Sequence, residues 1–587
     1  MNALLVSPRH ADAFWSRPVS LRLTRRRAGG PPLGLLTVAA LLPRAWRLRL
    51  VDLNARRLHE ADWKWAELVI VSGMLGQRDS LLEIVRVARS RGKRVVAGGV
   101  YPWTAPEEVL DAGADLVAAG EAEALLPELL EALASGRRGV VRESGKPDLA
   151  DSPVPRFDLL RVGDYLEMAV QTSRGCPHDC EFCDVIHQFG RRLRHKRTGQ
   201  VLAELDALYA LGYRGDVFFV DDNFIGDRRR TVALLHELVD WQAAHGEPFG
   251  FTNQATVDLG KDLPLIDLLT AANFGQVFIG FESPDEAALI GAGKRHSVGV
   301  SAVEAVRTIQ RNGLTVLGSF IIGLDGESAG VDRRIVALVE ESAMPIAMLN
   351  VLQAPPGSAL WDRLSREGRL HEGLPTQSSQ ALSSPNFEPS RPVAEIEGEA
   401  VRVWDELYEP GRFLARAYRW FAGMRPTRAA SARASKVPEP SGVAGRRVRR
   451  PRLLHEVGAL LLLTWWLGVR SPRRGQFWAQ LLALTPAAPW RGRARRSGPP
   501  LRPAPGRGHG RRAPARGAGT PAPGGEGEAG GRERGPTGRP GRSAGTRGWR
   551  PDRTARAPRG WLLATEPGAA APRAPRRRRA PARAPHP

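Results

Sequence analysis

Cysteine is scarce in this sequence, with three in 587 residues, and so few cannot build a disulfide-stabilised fold. Long apolar runs are also missing. The longest candidates, residues 31–43 and 457–469, are too short to span a membrane. The first residues, 1–6, have the pattern of a β-strand and lack the basic start of a signal peptide. Together these absences predict a cytoplasmic protein.

Lysine is absent from residues 491–587, which carry 24 Arg and five acidic residues. This stretch holds +19 of the net charge of +23, so the rest of the chain has only +4. We therefore expect no specific nucleic-acid partner. Its Arg, Pro, Gly and Ala composition predicts a low-complexity disordered tail over 487–587. An arm for RNA or an acidic partner, a solvated tail without a role, and a reading-frame slip all stay open.

The three cysteines stand together as Cys176, Cys180 and Cys183, with the spacing C-x3-C-x2-C. Clustered thiolates bind soft metals or iron–sulfur clusters. Three ligands leave one iron of a four-iron cluster open to a substrate or cofactor. The alternatives are three core cysteines, or a zinc site that takes His178 or His187 as its fourth ligand.

Strand and helix patterns alternate along most of the chain. Residues 1–140 predict a doubly wound parallel sheet, and 141–165 read as a linker. Residues 166–360 contain six strands with intervening helices, which predicts a partial (β/α)6 barrel. Residues 361–486 predict a helical domain. The fold class is therefore α/β, followed by an α-rich region and the tail.

Polar residues follow several barrel strands, where functional groups of such barrels collect. Asp221, Asp222 and Asn223 follow the second strand, and adjacent carboxylates there are costly unless they serve a charge. Asn253 follows the third strand. Glu282 and Ser319 lie on the fourth and fifth strands. A helix N-cap is the alternative role, for Asp222 or Asp227.

The segment from Gln171 to Asp184 resembles the radical S-adenosylmethionine (radical SAM) superfamily. The resemblance implies a [4Fe–4S] cluster on the three cysteines, with the open iron chelating S-adenosylmethionine. It implies that Asp221, Asp222 and Asn223 replace the motif that holds the amino group of that cofactor. It further implies cofactor contacts for four more residues, although packing explains the first equally well: Phe182, Asn253, Glu282 and Ser319, the last on an apolar strand that would lie against adenine.

The N-terminal region resembles the cobalamin-binding domain fused to many radical SAM enzymes. The resemblance rests on residues 31–34, 51–54, 72–74, 98–108 and 120–123. The Asp-x-His-x-x-Gly motif is absent, so bound cobalamin should lack a protein histidine on cobalt. A degenerate domain that binds nothing is the alternative.

Residues 1–486 as a whole resemble the subfamily with a helical C-terminal domain that includes the hopanoid C-2 methylases. Departures at Asn253, Gln254 and Gln353 leave the substrate open.

The resemblance implies an enzyme that methylates an unactivated carbon of a small molecule or polycyclic lipid with a cobalamin-borne methyl group. Its partners would include a low-potential reductase, flavodoxin or ferredoxin. Residues 460–466, with Arg470, Arg473 and Arg474 nearby, fit an amphipathic helix at a membrane surface or a buried core helix. Two rivals remain: non-methylating radical SAM chemistry and a non-catalytic iron–sulfur electron-transfer protein.

Overall fold

The computed structural model describes residues 1–11, 18–371, 384–424, 458 and 460–484. The described residues up to Leu481 belong to one compact unit. Two six-stranded parallel sheets form its centre. The tail predicted from the sequence lies outside the described residues.

The first sheet has the strand order β2-β1-β3-β4-β5-β6, and every neighbouring pair is parallel. Its strands are β1 Asn2–Ser7, β2 Arg47–Asp52, β3 Leu68–Ser72, β4 Arg94–Gly98, β5 Leu116–Ala119 and β6 Gly139–Arg142. Its helices are α1 Pro18–Thr24, α2 Leu33–Leu41, α3 Glu60–Trp65, α4 Arg78–Ser90, α5 Val100–Thr104, α6 Pro106–Asp111 and α7 Ala122–Ser135. The predicted doubly wound sheet is confirmed.

The order reverses between β1 and β3, and ligands of open parallel sheets bind at the carboxyl ends beside such a reversal. Apolar runs such as Leu4–Val6 and Val69–Val71 are buried because helices cover both faces. Sequence reasoning missed β6, which begins at Gly139 and whose last two residues lie within the stretch read as a linker.

The second sheet has the order β14-β13-β12-β11-β10-β7, again all parallel. Its strands are β7 Glu167–Val170, β10 Gly215–Phe219, β11 Phe249–Ala255, β12 Phe274–Glu282, β13 Thr315–Ile322 and β14 Ile346–Val351, and a small antiparallel pair is β8 Ser173–Arg174 and β9 Arg194–His195. The helices are α8 Val185–Phe189, α9 Thr198–Ala210, α10 Arg228–His245, α11 Leu263–Ala271, α12 Glu286–Gly291, α13 Ala302–Arg311, α14 Val331–Ser342 and α15 Ala359–Arg366. The predicted partial (β/α)6 barrel is confirmed.

The two sheets share one apolar core. Leu5 and Leu36 from the first sheet belong to the same buried cluster as Met168 and Val217 from the barrel. The chain also joins them through backbone: the amide of Glu167 donates to the carbonyl of Gly29 at 3.0 Å. The domain limits drawn from the sequence stay predictions.

The helical C-terminal region is α16 Val393–Leu407, α17 Pro410–Gly423 and α18 Arg474–Leu484, and residues 460–470 are also helical. α16 buries Ile396, Ala400 and Val403 in the barrel core. None of the described helices is both long and apolar enough to cross a membrane.

Candidate active site

The cysteine loop follows β8 and is held by its backbone. The amide of Cys176 donates to Gly190 O at 3.2 Å, and the amide of Cys183 donates to Cys180 O at 3.1 Å. Gly293 approaches from the turn after α12 with φ +74°, and a Cβ there would overlap the carbonyl oxygen of Asp179. The loop therefore contacts two other segments of the barrel, one at Gly190 and one at Gly293.

The three thiols lie in one buried environment. None forms a disulfide. Burial raises the pKa of Cys180 to about 11 and that of Cys183 to about 12, and the charge on Cys176 adds to the rise at Cys183. Thiolates here need positive charge beside them, and a metal centre supplies it.

This donor set fits a cluster better than a single ion. In the part of the chain that the structure describes, no three His, Cys, Asp or Glu side chains stand close enough to hold one metal ion. A zinc site needs its ligands about 2.0–2.3 Å from one point, whereas an iron–sulfur cluster binds each thiolate at a separate iron. Three clustered thiols are a donor set that suits iron–sulfur ligation.

Lys294 is a buried cation beside this loop. Its side chain is 9% exposed and its Nζ lies 2.9 Å from Glu282 Oε1. Burial opposes the charge, but Glu282 and the thiols of Cys180 and Cys183 raise the pKa of Lys294. Glu282 has φ +62°, in the left-handed region that is uncommon for a non-glycine residue. The predicted cofactor residue Glu282 thus lies at the cysteine loop, paired with a lysine.

Asp221 and Asp222 have different surroundings. Asp221 is fully buried and accepts hydrogen bonds from the hydroxyls of Thr172 and Ser173, each at 2.6 Å. Asp222 accepts from the amide of Gly175 at 3.1 Å. Burial raises the pKa of both, to about 7 for Asp222. Asp221 holds the strand that leads to the cysteines, and Asp222 lies beside the loop itself.

Two buried amides lack a protein partner for their oxygens. Asn223 and Asn253 are 3% and 1% exposed, and the side-chain oxygen of each has no hydrogen-bond partner among the described residues. The Asn223 amide nitrogen lies 3.4 Å from His178 Nε2, which places this amide at the cysteine loop. Buried polar atoms are normally satisfied, so this pair fits a polar ligand such as S-adenosylmethionine.

The two remaining predicted residues lie nearby. Ser319 is 8% exposed on β13 and pairs in register with Gly280, two residues before Glu282. Phe182 packs against a separate apolar cluster that contains Leu324 and Leu352. Packing therefore accounts for Phe182 without any ligand.

The cobalamin-binding-like sheet and α8, the helix after the cysteine loop, border one cavity of about 260 Å³. Trp103 and Pro106 line it from the segment after β4, His187 lines it from α8, and Gly357 lines it from the segment after β14. Trp103 also meets Phe189 edge-on, with ring centroids 6.2 Å apart. Segments at the carboxyl ends of both sheets thus meet at one place.

Sequence reasoning missed Lys294 and the partners of Glu121 and Glu123. Glu121 was noted as part of a cobalamin-like segment, but it binds Arg194 and Arg174 of the barrel. A lysine after a glycine turn carries no signal that links it to cysteines more than a hundred residues earlier.

Three family models match the chain in succession: the B12 binding domain over residues 20–130, the radical SAM superfamily over 170–335, and a domain of unknown function, DUF4070, over 358–490. Two curated relatives match most of their own length. An uncharacterised methyltransferase of Synechocystis is 42% identical over 479 residues, covering 81% of this chain and 86% of the relative. The hopanoid C-2 methylase of Rhodopseudomonas palustris is 33% identical over 485 residues, covering 81% and 88%.

Two solved structures share the fold. The radical S-adenosylmethionine methyltransferase TsrM of Kitasatospora setae, with cobalamin and a [4Fe–4S] cluster bound, has a TM-score of 0.53 at 18% identity over 68% of this chain and 84% of its own. The cobalamin-dependent enzyme OxsB has a TM-score of 0.55 at 15% identity over 82% and 75%.

Proposed function

Because this chain belongs to the family of cobalamin-binding radical SAM methylases that includes the hopanoid C-2 methylase, we propose that it methylates an unactivated carbon of a polycyclic lipid. The family uses a [4Fe–4S] cluster, S-adenosylmethionine and cobalamin. When bound, these groups supply the radical that activates the carbon and the methyl group that it receives. The chain's own residues bind and orient them and exclude water.

Cys176, Cys180 and Cys183 hold the cluster in this proposal. Their thiols are buried and influence one another's ionisation. The sequence contains no fourth cysteine, so one iron is left for the amino and carboxylate groups of S-adenosylmethionine.

The same cofactor is held by Asp222, Asn223 and Asn253. A carboxylate suits an α-ammonium group, and the two amide oxygens lack partners in the described residues. Asp221 positions Thr172 and Ser173 by accepting a hydrogen bond from the hydroxyl of each. Glu282 and Ser319 complete the pocket, with Glu282 oriented by Lys294, whereas Phe182 packs in the neighbouring apolar cluster.

The cavity between the cobalamin-binding sheet and the helix after the cysteine loop is the observation that carries the methylation proposal. It borders Trp103 on one side and His187, four residues after Cys183, on the other. A methyl donor and an activated carbon have to come within bonding reach of each other, and the approach of the two sheet edges at this cavity supports that requirement.

The test is anaerobic turnover of reconstituted protein with a low-potential reductant, cobalamin and a lipid extract rich in polycyclic triterpenoids. We expect 5′-deoxyadenosine and a lipid heavier by one methylene unit. A modified lipid without the extra methylene would favour non-methylating chemistry. Cofactor binding without any 5′-deoxyadenosine would favour electron transfer.

A lipid substrate requires access to a membrane, and residues 460–484 supply a suitable surface. Leu460, Leu461 and Trp465 are 63%, 65% and 56% exposed. Arg470 and Arg474 lie in the same stretch. Exposed Leu and Trp beside Arg fit the interface of an anionic bilayer. We place the protein peripherally at the membrane, with a flavodoxin or ferredoxin as its electron donor.

A further inference from the structure

A buried cluster of two arginines and two glutamates joins the cobalamin-binding sheet to the cysteine loop. Glu121 and Glu123 come from the start of α7, and their side chains are 1% and 3% exposed. Arg174 and Arg194 come from β8 and β9 of the barrel and are 11% and 13% exposed. We call these four residues the interdomain ion cluster.

Every carboxylate in the interdomain ion cluster accepts several hydrogen bonds. Glu121 accepts two from Arg194, at 2.7 and 3.0 Å, and one from Arg174 at 2.7 Å. Glu123 accepts two from Arg174, at 2.9 and 3.0 Å, and one from Ser152 Oγ at 2.9 Å. The cluster contains two positive and two negative charges. The planar guanidinium groups fix the distance and angle between the paired side chains.

The barrel end of the cluster is built into the cysteine loop. Arg174 stands two residues before Cys176 and pairs in register with Arg194 across the antiparallel strands. Arg194 also donates to the carbonyl of Phe189 at 3.1 Å, at the end of the helix that follows Cys183. A displacement of either arginine would therefore move the loop on both sides of the cysteines.

The other end is built into the carboxyl edge of the first sheet. Gly120, at the end of β5, has φ +150°, and a Cβ there would contact the Glu143 side chain closely. The amide of Glu121 donates to Glu143 Oε2 at 2.8 Å. This edge is where cobalamin belongs in the proposed function, so the ion cluster links the two cofactor sites directly.

We propose that Glu121, Glu123, Arg174 and Arg194 are positioning residues that fix the cobalamin-binding sheet relative to the cysteine loop. Sliding one domain against the other would leave buried charges unpaired, which is strongly unfavourable. The cluster thus keeps the methyl donor within reach of the activated carbon. Its catalytic consequence rests on the proposed function, whereas the mechanical link does not.

The test compares E121Q and E123Q with E399Q. Glu399 is 2% exposed and accepts from Arg391 at 2.7 Å, so it offers the same chemical change at similar burial on α16, away from this interface. In E121Q and E123Q we expect amide hydrogen exchange in residues 116–124 and 171–176 to rise at least about tenfold. E399Q should leave both segments unchanged.

A second readout separates positioning from general damage. Compared at equal cluster content, E121Q and E123Q should show a ratio of methylated product to 5′-deoxyadenosine that is lower by about tenfold or more. R174K keeps the positive charge but lacks the bidentate guanidinium group. It replaces a glutamine variant that does not fold, and it should lower the same product ratio.

Unchanged exchange in both segments together with an unchanged product ratio would overturn the proposal. Equal effects in E399Q would also overturn it, because they would indicate general destabilisation. If the unmodified protein makes 5′-deoxyadenosine but no methylated product, the proposed function fails, and hydrogen exchange still decides whether the interdomain ion cluster fixes the two domains.

Discussion

The cysteine residues are buried at Cys180 and partly buried at Cys176 and Cys183, and burial works against the thiolate that iron requires. We predict that Cys180→Ala abolishes the cluster, because two thiolates cannot hold the three protein-bound irons and the chain has no spare cysteine. Iron and sulfide content and visible absorption after anaerobic reconstitution measure this. His187→Ala is the control and should keep full iron. If the unmodified protein instead bound stoichiometric zinc and H187A lost it, the result would support a zinc site.

The pH dependence of cofactor binding should follow Asp222. Burial raises its pKa to about 7, against a hydrogen bond from the Gly175 amide that favours the charged form. A cation binds the ionised carboxylate, so affinity for S-adenosylmethionine should rise roughly tenfold from pH 6 to pH 8 and level off above the pKa. The pKa of Asp222 is higher in the folded protein than its ordinary value of 3.8. Asp222 therefore lowers the stability of the ligand-free protein as the pH rises from about 4 to about 7.

Asp222→Asn gives the control for that dependence. Equilibrium dialysis with labelled S-adenosylmethionine should show weaker binding and a flat profile between pH 6 and pH 8. An identical pH slope in the variant would assign the titration to another group and remove Asp222 from the binding site.

At the scale of elements, the turn after α12 supports the cysteine loop through Gly293. We predict that Gly293→Ala speeds loss of the cluster, because its Cβ would overlap the Asp179 carbonyl between the first two cysteines. Gly299→Ala is the matched control: its φ is +70° and nothing lies within 4 Å of the added Cβ.

Both substitutions put alanine in the left-handed region, at about 1–2 kcal/mol. Thermal unfolding should report that shared cost, and only G293A should release iron faster in the presence of a chelator. Equal release rates would show that backbone strain alone explains the effect.

At the scale of the whole molecule, the exposed residues of 460–484 predict vesicle binding. The double variant L461E/W465E should bind anionic phosphatidylglycerol vesicles at least about tenfold more weakly, since each buried apolar side chain contributes roughly 1.5–3 kcal/mol. Ile290→Glu is the control, at a site 51% exposed outside this surface. Equal sedimentation of the variant and the unmodified chain would contradict membrane contact here.

The sequence was sufficient for the architecture, because strand and helix periodicity is local. Alternating apolar strands and amphipathic helices predicted both parallel sheets, and the cysteine spacing predicted a cluster loop at the barrel's carboxyl edge. The same reasoning missed β6 and read its last two residues as a linker, since four residues beginning with a glycine carry too little pattern. Residues 460–466 fitted a surface or a core helix equally well, and only burial could separate the two.

What the tertiary structure decided is which charged groups meet. Asp221 and Asp222 are neighbours in sequence, yet one holds Thr172 and Ser173 while the other faces the cysteine loop. Glu282 pairs with Lys294, and Glu121 with Arg174 and Arg194. A side chain's partner depends on strand order and on how two sheets pack. Those are long-range properties. The cysteine spacing and the alternation of strands and helices, in contrast, depend on residues that are close together in the sequence.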